Sequence, residues 1–254
     1  MNGAPMLEIR NLTRRFQGLV AVDDVTTYVA ARELVGLIGP NGAGKTTLFN
    51  LISGFIAPSD GEIFFEGRSL AGMRPHRIAR LGIGRTFQNL RILPNMTVFD
   101  NVSIGALAAF GHSPWQALMP GRRTRSNQIS ELTRDVLDQV RLWDQASELA
   151  ANLSYGRRKY LEIARALATR PKLLILDEPA AGLNDTETAE LAGFIRDLVQ
   201  RGLTVLLVEH DMSLVMSICD RVVVLASGAK IADADPMTVQ RDPAVLDSYL
   251  GTRN

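Results

Sequence analysis

The sequence predicts an α/β fold built around a mainly parallel sheet, and three observations carry that prediction. Continuous apolar runs at residues 34–38, 173–176, 204–208 and 222–225 have the length and aliphatic content of strands buried on both faces. Segments of helical spacing separate several of them, the alternation that produces parallel strands with covered faces. A glycine-rich loop, Gly39-Pro40-Asn41-Gly42-Ala43-Gly44-Lys45-Thr46-Thr47, joins the first of these runs to the apolar stretch at 48–52.

The elements follow in order. Residues 7–30 read as short strands around a turn at Gln17-Gly18, with Phe16 just before the turn. After the glycine-rich loop, Ile63-Phe64-Phe65 between Gly61 and Gly67 reads as another strand. Gly82 and Gly84 bound Ile83, and the chain runs on into Arg85-Thr86-Phe87-Gln88-Asn89. From about residue 90 to Leu153 no strand is evident, and Ile129, Leu132, Val136, Leu137 and Val140 give residues 127–142 the spacing of a helix. This interruption predicts a single domain over 1–254 in which residues 90–157 form an inserted helical subdomain and 1–89 with 158–254 form the core. Within the insert, Pro114, Pro120 and Gly121 break the chain before a basic cluster of Arg122, Arg123 and Arg125. Such a cluster is either a solvated surface or a contact for anionic headgroups. A helix is expected from Ser154 to about Thr169, ended by Arg170-Pro171. The next strand ends in Asp177-Glu178-Pro179, a helix occupies 186–200, and the strand at 204–208 ends in Glu209-His210-Asp211. A further helix and the strand at 222–225 complete the pattern.

Composition narrows the partners. The formal net charge of the 254 residues is +1, so no general basic field recruits nucleic acid. No apolar run approaches the ~20 residues needed to cross a bilayer, and no signal-peptide core stands near Glu8 and Arg10. Cys219 is the only cysteine, which rules out disulfides within the chain and suits a reducing compartment. The expectation is a chain that stays in the cytosol and meets a membrane only through a partner.

The chemistry begins at the glycine-rich loop, which matches G-x-x-x-x-G-K-[ST] with a strand before and a helix after. Its glycines let successive amides turn inward on phosphate oxygens, and the following helix offers free amides and its positive dipole end. Lys45 is expected to bridge the outer phosphates of a nucleoside triphosphate and Thr46 to hold Mg²⁺. Ligands of open parallel sheets lie beyond the carboxyl ends of the strands, so Asp177, Glu178 and His210 are candidates to converge on the same phosphates. Asp177 is expected to help hold Mg²⁺, and Glu178 to orient and deprotonate the attacking water. His210 is a candidate donor to the terminal phosphate, and Gln88 a candidate ligand of Mg²⁺ or of the water. Ser154 and Gly156 open a helix, where they serve as an ordinary cap or as a second anion site. Phe16 is either a core aromatic or a platform for adenine.

Taken together and in this order, these motifs resemble the ATP-binding cassette family. Gly39 to Thr46 are similar to its Walker A loop, Gln88 to its Q-loop, Leu153 to Arg157 to its signature, and Leu174 to Glu178 to its Walker B strand. Ala181 to Asp185 are similar to the D-loop, and His210 to the switch histidine. The resemblance covers nearly the whole chain. It implies a P-loop NTPase (RecA-like) core with a mixed, mainly parallel sheet, an N-terminal antiparallel β-subdomain and the inserted helical subdomain. It also implies ATP hydrolysis with Mg²⁺ and a second cassette, identical or paralogous, on whose ATP Ser154 and Gly156 act. Transmembrane permease subunits and, indirectly, an extracytoplasmic solute-binding protein are the other implied partners, at the cytoplasmic face of the membrane.

Arg85-Thr86-Phe87-Gln88, Pro94 to Val98, Leu153 to Gly156, Leu161 to Ala166, Glu209 to Met212 and Arg241 to Val245 further resemble the ATPases of branched-chain amino acid importers. The chain departs from that pattern at Arg157 and Arg158, where glutamines are usual, and at Asp185, where proline is common. Tyr155 occupies the position of the signature's usual first glycine. The competing expectations are a lipopolysaccharide-export ATPase, a close relative, and a cassette protein acting on DNA or ribosomes, which the near-zero net charge disfavours.

Overall fold

Alternating burial along Leu7–Phe16 (β1) and Leu19–Val29 (β2) turns these segments into one antiparallel hairpin, closed where Phe16 pairs with Leu19. The computed structural model describes residues 5–86, 91–110 and 122–250. The two strands are longer than the short pieces expected from the sequence, and register shifts after Ile9 and Leu12 bend them. Asp60–Phe65 (β4) pairs antiparallel with β1, and Arg68–Ser69 (β5) extends the sheet to the order β2-β1-β4-β5.

The second sheet is made of Leu34–Ile38 (β3), Ile83–Arg85 (β6), Leu173–Asp177 (β7), Thr204–Val208 (β8), Arg221–Ala226 (β9) and Ala229–Ala234 (β10), in the order β10-β9-β3-β8-β7-β6. All neighbours run parallel except β10, which turns back on β9. Each of β3, β7 and β8 is buried along its whole length, and the alternation of side chains explains why no polar face interrupts these runs. Leu34, Ile38, Leu174, Leu176, Val205 and Leu207 point into one core, and Val35, Leu37, Leu173, Ile175, Leu206 and Val208 into another. Fully burying each such leucine contributes about 2 kcal/mol.

The first core lies under Val98–Ala109 (α3), Arg122–Gln139 (α4), Tyr155–Leu167 (α5), Asp185–Gln200 (α6) and Met212–Ile218 (α7). The second is closed by the antiparallel sheet, with Lys45–Ile52 (α1) and Pro75–Leu81 (α2). The parallel sheet is therefore covered by helices on one face and largely by a second sheet on the other. Pro236–Arg241 (α8) and Pro243–Leu250 (α9) are the last described elements and lie near β10. Between β6 and β7 the described residues form helices and 3₁₀ turns and no strand, with one isolated bridge between Thr97 and Leu149 beside main-chain bonds such as that from the Val98 amide to the Glu148 carbonyl at 2.9 Å. The helix expected at 127–142 begins earlier, at Arg122, and ends at Gln139. Among the described residues no helix is long and apolar enough to cross a membrane.

Three consequences bear on the site. β3, β8 and β7 are adjacent and parallel, so their carboxyl ends share one edge. Asp177 pairs with Val208 and Leu37 with Val208, which fixes that edge to within a residue. The β1–β2 hairpin meets the same edge, because Ala21 of β2 packs on Gly44.

Candidate active site

The loop after β3 wraps a space lined by its own main chain. Gly39 and Gly44 have φ of 151° and 99°, and a Cβ on either would stand 2.1 Å from the Leu225 carbonyl or 2.3 Å from the Ala21 carbonyl. Only glycine meets both demands. Gly42 also has positive φ, while Ala43 is buried and hydrogen-bonds back to Pro40. Asn41 and Thr46 are exposed and Pro40 and Thr47 half-buried. α1 then starts from Gly44 with no side-chain cap, leaving its first amides and dipole end to an anion. Lys45 folds over this space, its ammonium donating to the Gly39 and Pro40 carbonyls at 2.5 and 3.1 Å. Burial lowers the Lys45 pKa, while Glu178 and Asp177 work against that shift, so both acids lie close enough to be felt.

Asp177 closes β7. Its carboxylate accepts from Arg85 Nη2 at 3.2 Å, and its amide donates to Thr86 Oγ1 at 3.2 Å. Burial outweighs the ion pair at both ends: it raises the Asp177 carboxyl and lowers the Arg85 guanidinium. Arg85 also donates to Asn50 Oδ1 at 2.9 Å and Ser53 Oγ at 3.3 Å, which ties the end of α1 to the acid. Glu178, one residue on, carries the chain off the strand with φ of 49° while its amide still reaches the Val208 carbonyl at 2.9 Å. Its carboxylate stands 4.0 Å from His210 Nδ1. Glu209 lies behind them, 1% exposed, accepting from the Ala180 amide at 2.8 Å and the His210 amide at 3.3 Å. Burial raises the Glu209 carboxyl above its ordinary range.

The edge thus gathers the loop, Lys45, Asp177, Glu178 and His210. Phe16, at the tip of the adjoining hairpin, is not a core aromatic. It is 38% exposed, with the Arg14 guanidinium 4.4 Å from its ring centroid. Gln88 lies outside the described residues, as do the side chains of Arg122, Arg123 and Arg125.

Ser154 and Gly156 belong to another place. Ser154 caps α5, accepting from the Arg157 amide at 3.4 Å, and Gly156 packs against Glu187. They line a cleft of about 980 Å³ with Arg157, Tyr160, Leu183 and Glu187, and no residue of the phosphate loop lines it. Arg157 is held within the chain by the Arg141 carbonyl at 3.0 Å, and Arg158 by the Leu153 carbonyl at 2.9 Å and the Ala151 carbonyl at 2.6 Å. Asp185 starts α6 behind an Asn184–Glu187 capping box, a position that suits an acid as well as the usual proline.

A protein-family comparison decides what this arrangement belongs to: residues 22–181 match the family model described as ABC transporter. The chain belongs to that family. This ABC ATPase is 43% identical over 250 residues to the high-affinity branched-chain amino acid transport ATP-binding protein BraF of Pseudomonas aeruginosa, covering 97% of this chain and 98% of BraF. It is 41% identical to LivG of Escherichia coli strain K12, a protein described in the same words, with the same coverage. Among solved structures it is similar to the ADP conformation of MJ1267, an ATP-binding cassette of an ABC transporter, with a TM-score of 0.85 and 31% identity over 98% of this chain and 100% of that one. The ABC ATPase binds nucleotide and hydrolyses ATP, as its family does.

Several residues of the ABC ATPase's site escape a reading by motif alone. Arg85 stands in the segment leading to Gln88, yet its bond to Asp177 joins residues 92 apart. Glu209 precedes His210 and was visible only as a strand end. Lys159 sits four residues after Tyr155, and its ammonium reaches the Glu178 carbonyl at 3.2 Å. The only sequence signal for Lys159 is its place on the face of α5 shared with Tyr155, at i and i+4.

Proposed function

We propose that this ABC ATPase energises the import of branched-chain amino acids or related small amino acid or amide solutes. The observation that carries the solute class is the 43% identity to BraF along nearly the full length of both chains. For the chemistry, the shared edge of β3, β7 and β8 supports the roles that follow. The Gly39–Thr47 amides and Lys45 hold the triphosphate, and the exposed ring of Phe16 stacks on adenine. Glu178 accepts the proton of the attacking water, and His210, 4.0 Å away, donates to the terminal phosphate. Gln88 contacts the same water or the metal.

Mg²⁺ suits the donors at hand. Asp177 and Thr46 offer a carboxylate and a hydroxyl, and no three His, Cys, Asp or Glu side chains among the described residues are placed to hold a metal ion together. Such a sparse set fits an ion that keeps waters and takes phosphate oxygens rather than a protein cage. When bound, Mg²⁺ would neutralise charge on the outer phosphates.

Two cassettes, identical or paralogous, face each other so that Ser154 and Gly156 of each meet the nucleotide held by the other. Residues 90–157 form the inserted subdomain within the single domain. Beside it a groove of about 440 Å³, lined by Phe55, Ile78, Arg85, Ile104, Ala108 and Arg165, offers an apolar seat for a short helix of the transmembrane permease. The permease holds the chain at the cytoplasmic face of the membrane, and a solute-binding protein acts on the other side.

The test is reconstitution with the permease in liposomes and a panel of solutes. Leucine-like solutes, delivered with the binding protein, are expected to stimulate hydrolysis and accumulate. Intact basal hydrolysis with no response to them would overturn the solute assignment, and a response to lipopolysaccharide would replace it with export.

A further inference from the structure

α5 carries, one turn from its start, a buried charge that the roles above leave unused. Lys159 is 2% exposed and makes no salt bridge among the described residues. An ammonium removed from water is costly unless something compensates it. Here the compensation is a main-chain oxygen, a ring and the nearby Asp177 carboxylate: Nζ donates to the Glu178 carbonyl at 3.2 Å, lies 5.7 Å from the Tyr155 ring centroid, and its charge favours the ionised form of Asp177.

Tyr155 grips the other end of the same turn. The Ala181 amide donates to the Glu178 carbonyl at 3.2 Å, closing the four residues 178–181. The Tyr155 hydroxyl then donates to the Ala181 carbonyl at 3.2 Å, and its ring covers Gly182, where an added Cβ would meet Tyr155 Cε1 at 2.9 Å. Tyr155 and Lys159, one helical turn apart, therefore hold the last and first carbonyls of the turn that follows β7. Glu178 needs holding. A left-handed φ of 49° is unfavourable for a glutamate and persists only where surroundings fix it. Its amide is anchored on Val208, and Lys159 anchors its carbonyl.

We propose that Lys159 is a positioning residue for hydrolysis: with Tyr155 it clamps the Glu178–Ala181 turn and so sets where the Glu178 carboxylate points. The inference rests on the reading of Glu178 as the base. It gives the tyrosine in place of the signature's first glycine a task within its own chain. It also joins two sites, because the helix start that bears Ser154 and Gly156 directly holds the base acting on the other nucleotide. A shift of α5 upon meeting the partner's nucleotide would move the Glu178 carbonyl with it.

The experiment compares Lys159→Met, Lys159→Arg and Tyr155→Phe in the full chain, measuring kcat and KM for ATP and the Kd of a fluorescent ATP analogue. Lys159→Met is expected to lower kcat roughly 10- to 100-fold, the scale of a misplaced catalytic group, with Kd changed less than about twofold. Lys159→Arg, which keeps a donor, should recover most of the rate, and Tyr155→Phe should lose only a few-fold. In a Glu178→Gln background Lys159→Met should add no further loss. An unchanged kcat in Lys159→Met, a Kd that rises in step with the lost rate, or an equal loss in the Glu178→Gln background would each overturn the clamp. If Lys159→Met does not fold, Lys159→Gln, too short to span the gap, serves with the same expected and overturning results. Normal turnover in Glu178→Gln alone would overturn the base itself, and the inference with it. Loss there with no effect at Lys159 would overturn the clamp and spare the base.

Discussion

At the carboxyl edge of the parallel sheet, Lys45, Asp177 and Glu209 are each no more than 9% exposed, whereas at the start of α5 Tyr155 is 46% exposed and Ser154 and Arg157 also face solvent. The buried charges already have protein partners. Lys45 rests on loop carbonyls and Asp177 on Arg85, interactions that the proposed phosphate and metal would replace. The α5 start is instead a helix N-terminus whose Ser154, Tyr155 and Arg157 are exposed, with one long capping bond from its own serine. One region is a site built from a single chain, ready to exchange internal partners for a ligand. The other lines a separate cleft that no residue of the phosphate loop enters. That contrast is what the proposed face-to-face pairing requires, since the second region then completes a nucleotide held by another copy or a paralogue.

The largest expected effect falls on the buried edge. Glu178→Gln should bind ATP normally yet lose turnover by roughly 10²- to 10⁴-fold, the range of a positioned general base, read by phosphate release beside a nucleotide titration. Unchanged turnover would remove Glu178 from the mechanism. Next comes Lys45→Ala, which deletes charge-assisted bonds to phosphate. We expect about 2 kcal/mol of binding to be lost, or roughly 30-fold in Kd for a fluorescent ATP analogue. Affinity within twofold of the parent would break the claim that the loop and its lysine form the nucleotide cradle.

A smaller effect sharpens the other side of the comparison. Ser154→Ala removes an N-cap, worth about 1 kcal/mol, or a fall of about 3 °C in Tm. It should leave nucleotide Kd unchanged while slowing turnover. Where two copies of this chain pair, mixing Ser154→Ala with Lys45→Ala chains should give faster turnover than either variant alone, because one mixed site then has an intact cradle and an intact signature. A mixture no more active than its components, from a chain shown to pair with itself, would break the assignment of the two regions to different chains' sites.

The smallest effect concerns pH. Burial raises the Glu209 carboxyl, so the folded chain keeps this proton at a pH where the unfolded chain has released it. Its contribution is therefore greatest below the ordinary carboxylate range and is lost as pH rises through the raised value. Glu209→Gln should flatten that part of the Tm–pH curve, and superimposable curves would show that Glu209 does not set it.

Much of the fold could be read in advance because it is local. The runs that became β3, β7, β8 and β9 are continuous aliphatic stretches, and their period is written in consecutive residues. The phosphate loop announces itself by glycine spacing, α5 by its cap and stop, and α6 by its helical spacing. Shorter or mixed pieces could not be read that way. β6 is three residues, β10 is the alanine-rich stretch Ala229–Ala234 interrupted by Lys230 and Asp233, and α3 mixes small, polar and β-branched residues. In each of these, pairing or packing with distant segments outweighs intrinsic preference.

From the sequence alone come the identity of the phosphate loop, the acids that end β7, the histidine after β8 and the alternation that demands a parallel sheet. These are matters of residue type and short-range spacing, where a few bonds of chain constrain geometry. Only the tertiary structure decided that β8 lies between β3 and β7, that Arg85 meets Asp177, and that Lys159 and Tyr155 grip the turn carrying Glu178. Strand order and side-chain contacts across dozens of residues follow from which buried faces pack together, and no local pattern encodes them.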